Sequence, residues 1–191
     1  MHSIRRLTST LGAFFLSTSF AFSADVTSYP DLANAINLGA STLNITVPEI
    51  NWPANSPLTI AYSPAFTGVA TFNGQDASAL FTVSAPGSPT WDGDFVFTQG
   101  RASGTGGAMY IINGATAIFN GSATFTQNRT TSAGGYGGAA LRVNNVSTAT
   151  FNGPTTFSNN TSANYGGGAI LTFLPRRLLT APLHSSGTAQ E

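Results

Sequence analysis

Residues 116 to 128 read Thr-Ala-Ile-Phe-Asn-Gly-Ser-Ala-Thr-Phe-Thr-Gln-Asn, and residues 148 to 160 read Thr-Ala-Thr-Phe-Asn-Gly-Pro-Thr-Thr-Phe-Ser-Asn-Asn. Eight of the 13 positions are identical. A third copy lies upstream, where Trp91-Asp92-Gly93 and Phe97-Thr98-Gln99-Gly100 take the same offsets. The leading aromatics Trp91, Phe119 and Phe151 are therefore 28 and 32 residues apart. A second motif follows each copy: Gly106-Gly107-Ala108-Met109, Gly137-Gly138-Ala139-Ala140 and Gly167-Gly168-Ala169-Ile170, at spacings of 31 and 30. Self-similarity at such a period is the signature of a stacked repeat architecture.

The residue types within each unit favour extended backbone, because Thr and Phe fit a pleated, half-buried surface. The Asn-Gly pairs at 73–74, 120–121 and 152–153 read as turns with positive φ. Alone, Asn-Gly suggests a hairpin, which is the main structural alternative. The return of whole motifs about every 30 residues favours coils stacked in parallel register instead. The sequence thus predicts an all-β fold, a right-handed parallel β-helix. In such a stack Phe97, Phe125 and Phe157 lie one above another. Each buried Phe is worth about 1.5–3 kcal/mol, and each stacked pair adds roughly 0.5–1.5 kcal/mol. Asn128 and Asn160 form an amide ladder, which Gly100 interrupts in the first copy. The glycine pairs turn a tight corner, and the alanine after them allows close approach between coils.

Upstream, residues 31 to 39 predict a short helix capped by Asp31, with Leu32, Ala35 and Ile36 on one face and Gly39 at its stop. Leu43, Ile45 and Val47 then alternate as a strand. A helix feeding the first strand suits a solenoid cap that covers an open edge; an ordinary surface helix is the alternative. Between residues 48 and 90, prolines separate short apolar runs, with Trp52, Phe66, Phe72, Leu80 and Phe81 expected inside.

The N-terminus carries the marks of export. Arg5 and Arg6 precede an apolar run from Leu11 to Phe22, and Ala21-Phe22-Ser23 is a small-x-small site. Cleavage is expected after Ser23, with Ala24 as the alternative. The sequence divides into a signal peptide (1–23), a cap with irregular coils (24–90), the repeat region (91–170) and an irregular tail (171–191). Charged residues are 7% of the chain, against about 25% in typical proteins, and there is no lysine. A surface this neutral offers little to a nucleic acid. The absence of cysteine excludes disulfides and thiolate metal sites.

Gly-Gly-Ala-Ile at 167–170 and Phe-x-x-Asn at 125–128 and 157–160 are hallmark tetrapeptides. With both recurring in alternation, the sequence resembles the chlamydial-type polymorphic outer membrane proteins from its signal peptide to about residue 170. The resemblance implies an autotransporter: a signal, a β-helical passenger and a C-terminal outer-membrane barrel. It implies surface display and adhesion to host cells, with a host-cell surface protein or glycan as partner, or other passengers of the same family. Residues 171–191 show no serial alternating strands of about ten residues, so no barrel is read there. They read as the tail of a passenger shortened before its barrel, with a genuine C-terminal cap as the alternative.

Parallel β-helices also host polysaccharide lyases and hydrolases, which need clustered carboxylates. Here Asp92 and Asp94 flank Gly93, and Asp76 is the other carboxylate of the coils. Asp92 occupies the position of Asn120 and Asn152, so turn chemistry is the simpler account. His184 in the tail is the sole histidine beyond the signal peptide, which leaves no triad or histidine metal site in the repeats. No catalytic residue, metal or cofactor is assigned. Tyr110, Arg129, Tyr136, Arg142 and Tyr165 are the candidate exposed anchors for a partner, since Tyr and Arg are favoured at binding hot spots. A structural stalk without a binding role is the runner-up.

Overall fold

The computed structural model describes residues 21–131, 137–163 and 167–172. Strand β1 (Ser23–Val26) leads into helix α1 (Tyr29–Asn37). The first coil runs through β2 (Thr42–Ile45), β3 (Glu49–Asn51) and β4 (Leu58–Ile60), the second through β5 (Ala65–Asn73) and β6 (Phe81–Ser84). The third is β7 (Thr90–Trp91), β8 (Asp94–Thr98), β9 (Arg101–Ala102) and β10 (Met109–Ile112). The fourth is β11 (Thr116–Phe119), β12 (Ala123–Thr126), β13 (Arg129–Thr130) and β14 (Leu141–Val143). The last comprises β15 (Thr148–Phe151), β16 (Thr155–Ser158), β17 (Thr161–Ser162) and β18 (Ile170–Thr172).

All the strand pairs are parallel and join successive coils, so the chain is a parallel β-helix. The first face is β1-β2-β5-β7-β11-β15, and the second is β3-β5-β8-β12-β16. The third is β4-β6-β10-β14-β18, and a narrow strip of β9-β13-β17 lies between the second and third. Strand β5 serves both the first and second faces. It bends at Gly68, whose φ of +107° and 2.2 Å gap from a hypothetical Cβ to the Ile45 carbonyl oxygen exclude other residues.

Two aromatic columns fill the core. Phe66, Trp91, Phe119 and Phe151 stack at centroid distances of 5.0, 4.8 and 4.8 Å with nearly parallel rings. Phe72, Phe97, Phe125 and Phe157 form the second column at 5.5, 4.7 and 4.9 Å. The columns meet edge to face, as between Phe119 and Phe125 at 5.6 Å. Both geometries suit the ring quadrupole. Phe81, Met109, Leu141 and Ile170 line the opposite wall in register. In β11, β12 and β15 the inner Ala and Phe alternate with outer Thr and, in β11, Ile118, because successive side chains of a strand point to opposite faces.

Helix α1 closes the N-terminal end. Its N-cap is Ser28, not Asp31. Asp31 stands three residues on, and Ser28 and Asp31 form a reciprocal box: the Asp31 amide donates to Ser28 Oγ, while Ser28 and Thr27 hydroxyls donate to Asp31 Oδ2. Pro30 cannot donate in the first turn, which fits that start. At the other end Gly39 takes φ +74°, and the amides of Gly39 and Ala40 donate to Ile36 and Ala35 carbonyls, a Schellman stop. Leu32, Ala35 and Ile36 face the core. Tyr29 packs edge-on to Trp52 at 5.2 Å and donates to the Ser56 carbonyl.

The asparagine-glycine pairs correct the expected turn chemistry. Asn120, Gly121, Asn152 and Gly153 do not have positive φ. Their glycines are demanded by close approach instead: a Cβ on Gly93, Gly121 or Gly153 would lie 1.8, 2.0 or 2.2 Å from the carbonyl oxygen of the glycine one coil below. Positive φ falls at Gln99, Gln127 and Asn159, the third residue of each Phe-x-x-Asn or Phe-x-x-Gly turn.

The glycine-glycine-alanine alignment also shifts. Met109 pairs with Leu141, and Leu141 with Ile170. Gly138, not Gly137, therefore corresponds to Gly106 and Gly167. Each of these three comes three residues before the paired strand residue, whose carbonyl oxygen leaves 1.8 to 2.4 Å for a Cβ. Gly137 belongs to an added residue at that corner, against the Thr130 side chain.

Coil length grows through the fourth coil and then falls, to 29 residues between Leu141 and Ile170. Thr42 pairs with Ala65, Ala65 with Thr90, Thr90 with Ile118, and Thr116 with Thr148, offsets of 23, 25, 28 and 32. Two of the added residues enter between the third and first faces, where Ile60 pairs with Val83 but Ala65 with Thr90, and most of the rest enter between the second and third faces. Between the second and third faces lie six residues in the first coil (52–57), seven in the second (74–80), ten in the third (99–108) and 14 in the fourth (127–140). That corner carries the β9-β13-β17 strip and the grooves beside it.

Candidate functional site

The Phe-x-x-Asn turn builds one wall of this corner. Asn128 is fully buried. Its Oδ1 accepts from the Gly100 amide at 2.8 Å, and its Nδ2 donates to the Phe97 carbonyl at 2.9 Å and to Asn160 Oδ1 at 3.0 Å. Asn160 repeats the pattern one coil up, donating to the Phe125 carbonyl at 2.9 Å. Gly100 has no room for a side chain, since its Cβ would lie 2.8 Å from Asn128 Oδ1 and 2.2 Å from the Gly107 carbonyl. The ladder is thus completed below by a backbone amide.

The residue after each turn starts the narrow strip, which stacks Arg101, Arg129 and Thr161 in register. Two guanidinium-bearing residues one strand apart repel. Asp76 offsets this, because both of its carboxylate oxygens accept from the Arg129 guanidinium. Arg101 is exposed, and among the described residues its guanidinium has no hydrogen-bond or ion-pair partner. A cleft of about 420 Å³ opens beside Arg101, lined by Asn55, Ser78, Ser103, Thr105 and Thr131 among others. A second groove of about 400 Å³ lies on the Asp76–Arg129 side, against Gln99, Gln127 and Asn159.

Of the expected anchors, Tyr110 and Arg142 are partners on the outside of the third face. The Arg142 guanidinium lies 5.3 Å from the Tyr110 ring centroid and also donates to the Gly104 carbonyl. This is a cation–π pair, a preformed amphipathic patch. Arg129 is on the strip and paired with Asp76, not with that patch. Tyr136 and Tyr165 lie outside the described residues. Arg101 was missed by sequence reasoning. The signal was present: Arg101 follows Phe97-x-x-Gly100 as Arg129 follows Phe125-x-x-Asn128.

The flanking carboxylates are held in a different network. Asp92 Oδ1 accepts from Asn120 Nδ2 at 2.6 Å, and Asn120 Oδ1 from Asn152 Nδ2 at 2.7 Å, an exposed ladder across three coils. Asp94 accepts from the Ser122 hydroxyl and amide at 2.7 and 2.9 Å, which hold its carboxyl below the ordinary value. Both acids therefore tie neighbouring coils together. No group of three or more potential metal ligands occurs among the described residues. No helix among them is long and apolar enough to cross a membrane. No protein-family model matches the chain, and no curated protein or solved structure is significantly similar to it.

Proposed function

We propose that the chain is an exported, surface-displayed β-helical passenger of the polymorphic outer membrane protein type, acting as an adhesin or antigenic surface protein. The observation that carries this reading is the alternation of Phe-x-x-Asn with Gly-Gly-Ala in one stack, where both motifs lie at the same corner of successive coils. A signal-like N-terminus supports export to the cell surface or outer membrane. The partner is a host-cell surface protein or glycan, or another passenger of the same kind. Long flat faces and a stack of short repeats suit recognition by shape. A non-catalytic role is supported by Asp92 and Asp94, whose carboxylates are engaged between coils.

The test is saturable binding of the purified full chain to host cells, with Tyr110→Ala and Arg142→Ala variants alongside. Binding that saturates and weakens in either variant supports adhesion through the Tyr110–Arg142 patch. Binding that never saturates sinks the adhesin reading. A structural stalk is the second reading, favoured by how many outer polar side chains, such as Asn120 and Asn152, are used between coils.

A further inference from the structure

We infer that the cleft beside Arg101 binds an acidic oligosaccharide, through a carboxylate or sulfate held by the Arg101 guanidinium. The inference deepens the adhesive reading and rests on it for where such a ligand is met.

Charge along the stack is segregated. The acidic residues of the coils all precede Phe95, at Asp25, Asp31, Glu49, Asp76, Asp92 and Asp94. The described arginines begin at Arg101. Asp76 is the acid that reaches the strip, and its two oxygens are both committed to Arg129. Arg101 stands in register with Arg129 and, among the described residues, has no acidic partner. In a chain with 7% charged residues, an exposed and unpaired guanidinium at the edge of a cleft is a focused positive site. Guanidinium presents a planar fork that matches carboxylate, and sulfate oxygens accept from the same donors.

The rest of the lining selects a sugar. Asn55, Ser103 and Thr105 line the cleft, and among the described residues their side chains make no hydrogen bonds. They offer donors and acceptors to ring hydroxyls. The cleft holds about 420 Å³, within the roughly 300–1,000 Å³ of small-ligand sites. Its apolar lining is Ala and Pro, with no aromatic anchor of the kind that dominates protein hot spots. A nucleic acid needs several phosphate contacts to bind, and Arg101 supplies one.

The experiment is calorimetric titration of the purified full chain with a heparin-derived hexasaccharide, a hexagalacturonate and maltohexaose. One or both acidic sugars should bind saturably, more weakly as salt rises, and maltohexaose should not. Binding of the heparin fragment alone identifies sulfate as the recognised group, and binding of the galacturonate alone identifies carboxylate. Arg101→Gln should lose at least about tenfold in affinity, with its circular-dichroism melt unchanged to show that it folds. Asp76→Asn frees Arg129 and should tighten binding. Equal affinity for maltohexaose, undiminished affinity in Arg101→Gln, or no binding of either acidic sugar overturns the inference. The same variants on host cells separate the two readings. Cell binding without acidic-sugar binding leaves adhesion standing and removes the cleft site. Sugar binding without cell binding does the reverse.

Discussion

The Arg129 guanidinium is held by both carboxylate oxygens of Asp76, a residue 53 positions earlier and two coils below in the stack. Asp76 reaches it from a left-handed backbone conformation with φ 56°. Side chains of both residues remain more than 40% exposed, at 41% and 48%. Exposed pairs are screened by water and are worth at most about 1 kcal/mol. Asp76→Asn should therefore lower stability by less than about 1 kcal/mol in urea unfolding, so any large change in ligand affinity in that variant is a site effect.

The central column gives a much steeper response. Phe125 is fully buried between Phe97 and Phe157. Phe125→Ala should cost about 3–5 kcal/mol. Phe157, half-buried in the last described coil, should cost less when changed in the same way. Chemical denaturation of the two variants side by side checks the order, and equal losses would argue against a column whose layers differ in coverage.

The two asparagine ladders should separate sharply. Asn128→Leu leaves the Gly100 amide and the Phe97 carbonyl without their partner in the interior, at a cost of at least about 2 kcal/mol. Asn152→Ala removes one exposed amide from the outer ladder and should change stability by less than about 1 kcal/mol. Thermal melts of both variants measure the contrast.

Glycine replacements divide by cause. Gly121→Ala forces a Cβ to within 2.0 Å of the Gly93 carbonyl oxygen, backbone that cannot yield without separating two coils. The variant is expected to fail to fold, seen as loss of soluble, β-rich protein. Gly114 has φ +83° with its nearest neighbour 3.9 Å from a Cβ, so Gly114→Ala meets conformational strain alone, roughly 1–2 kcal/mol. Soluble Gly121→Ala with a native spectrum would refute the close-approach account.

The pH response has two limbs. Hydrogen bonds from Thr27 and Ser28 depress Asp31, and those from Ser122 depress Asp94. A depressed carboxylate contributes stability above its unfolded value of 3.8, and this is lost as pH falls through the lower folded value. Asp31→Asn should flatten that acid limb. On the alkaline side burial pushes the Tyr62 phenol up to about 12, so its contribution is full below 10 and is lost as pH rises through 12. Tyr62→Phe should shrink the alkaline limb, to which Tyr29, also raised by burial, contributes, in a pH series of melts.

The columns were legible where the repeat was clear, because Phe97, Phe125 and Phe157 sit at fixed offsets from Asn-rich turns. Their extension down to Phe66 and Phe72 was harder to see, since those coils are short and broken by prolines. A shared signal runs through all four layers: an aromatic, any residue, glycine, and a second aromatic six positions after the first. It appears as Phe66 with Gly68 and Phe72, and as Trp91 with Gly93 and Phe97. Spacing between glycine pairs misled because Gly137-Gly138 looks like Gly106-Gly107, while register is set by Leu141 against Met109. The hydrogen bonds of the strands, not sequence likeness, decide which glycine meets which. Arg101 was hidden because Gly100 replaces the motif asparagine just before it. Asp76 was legible as a carboxylate but not as a partner of Arg129, which only two turns of the stack bring together.

Most of the lengthening of successive coils, from 23 to 32 residues, falls at one corner while the walls keep their parallel pairing. Conservation of shape and freedom of sequence are thereby assigned to different parts of the perimeter. A segment spliced into that corner lengthens a loop without shifting a single layer of rings, so the molecule can change what it presents to its surroundings while its interior stays the same.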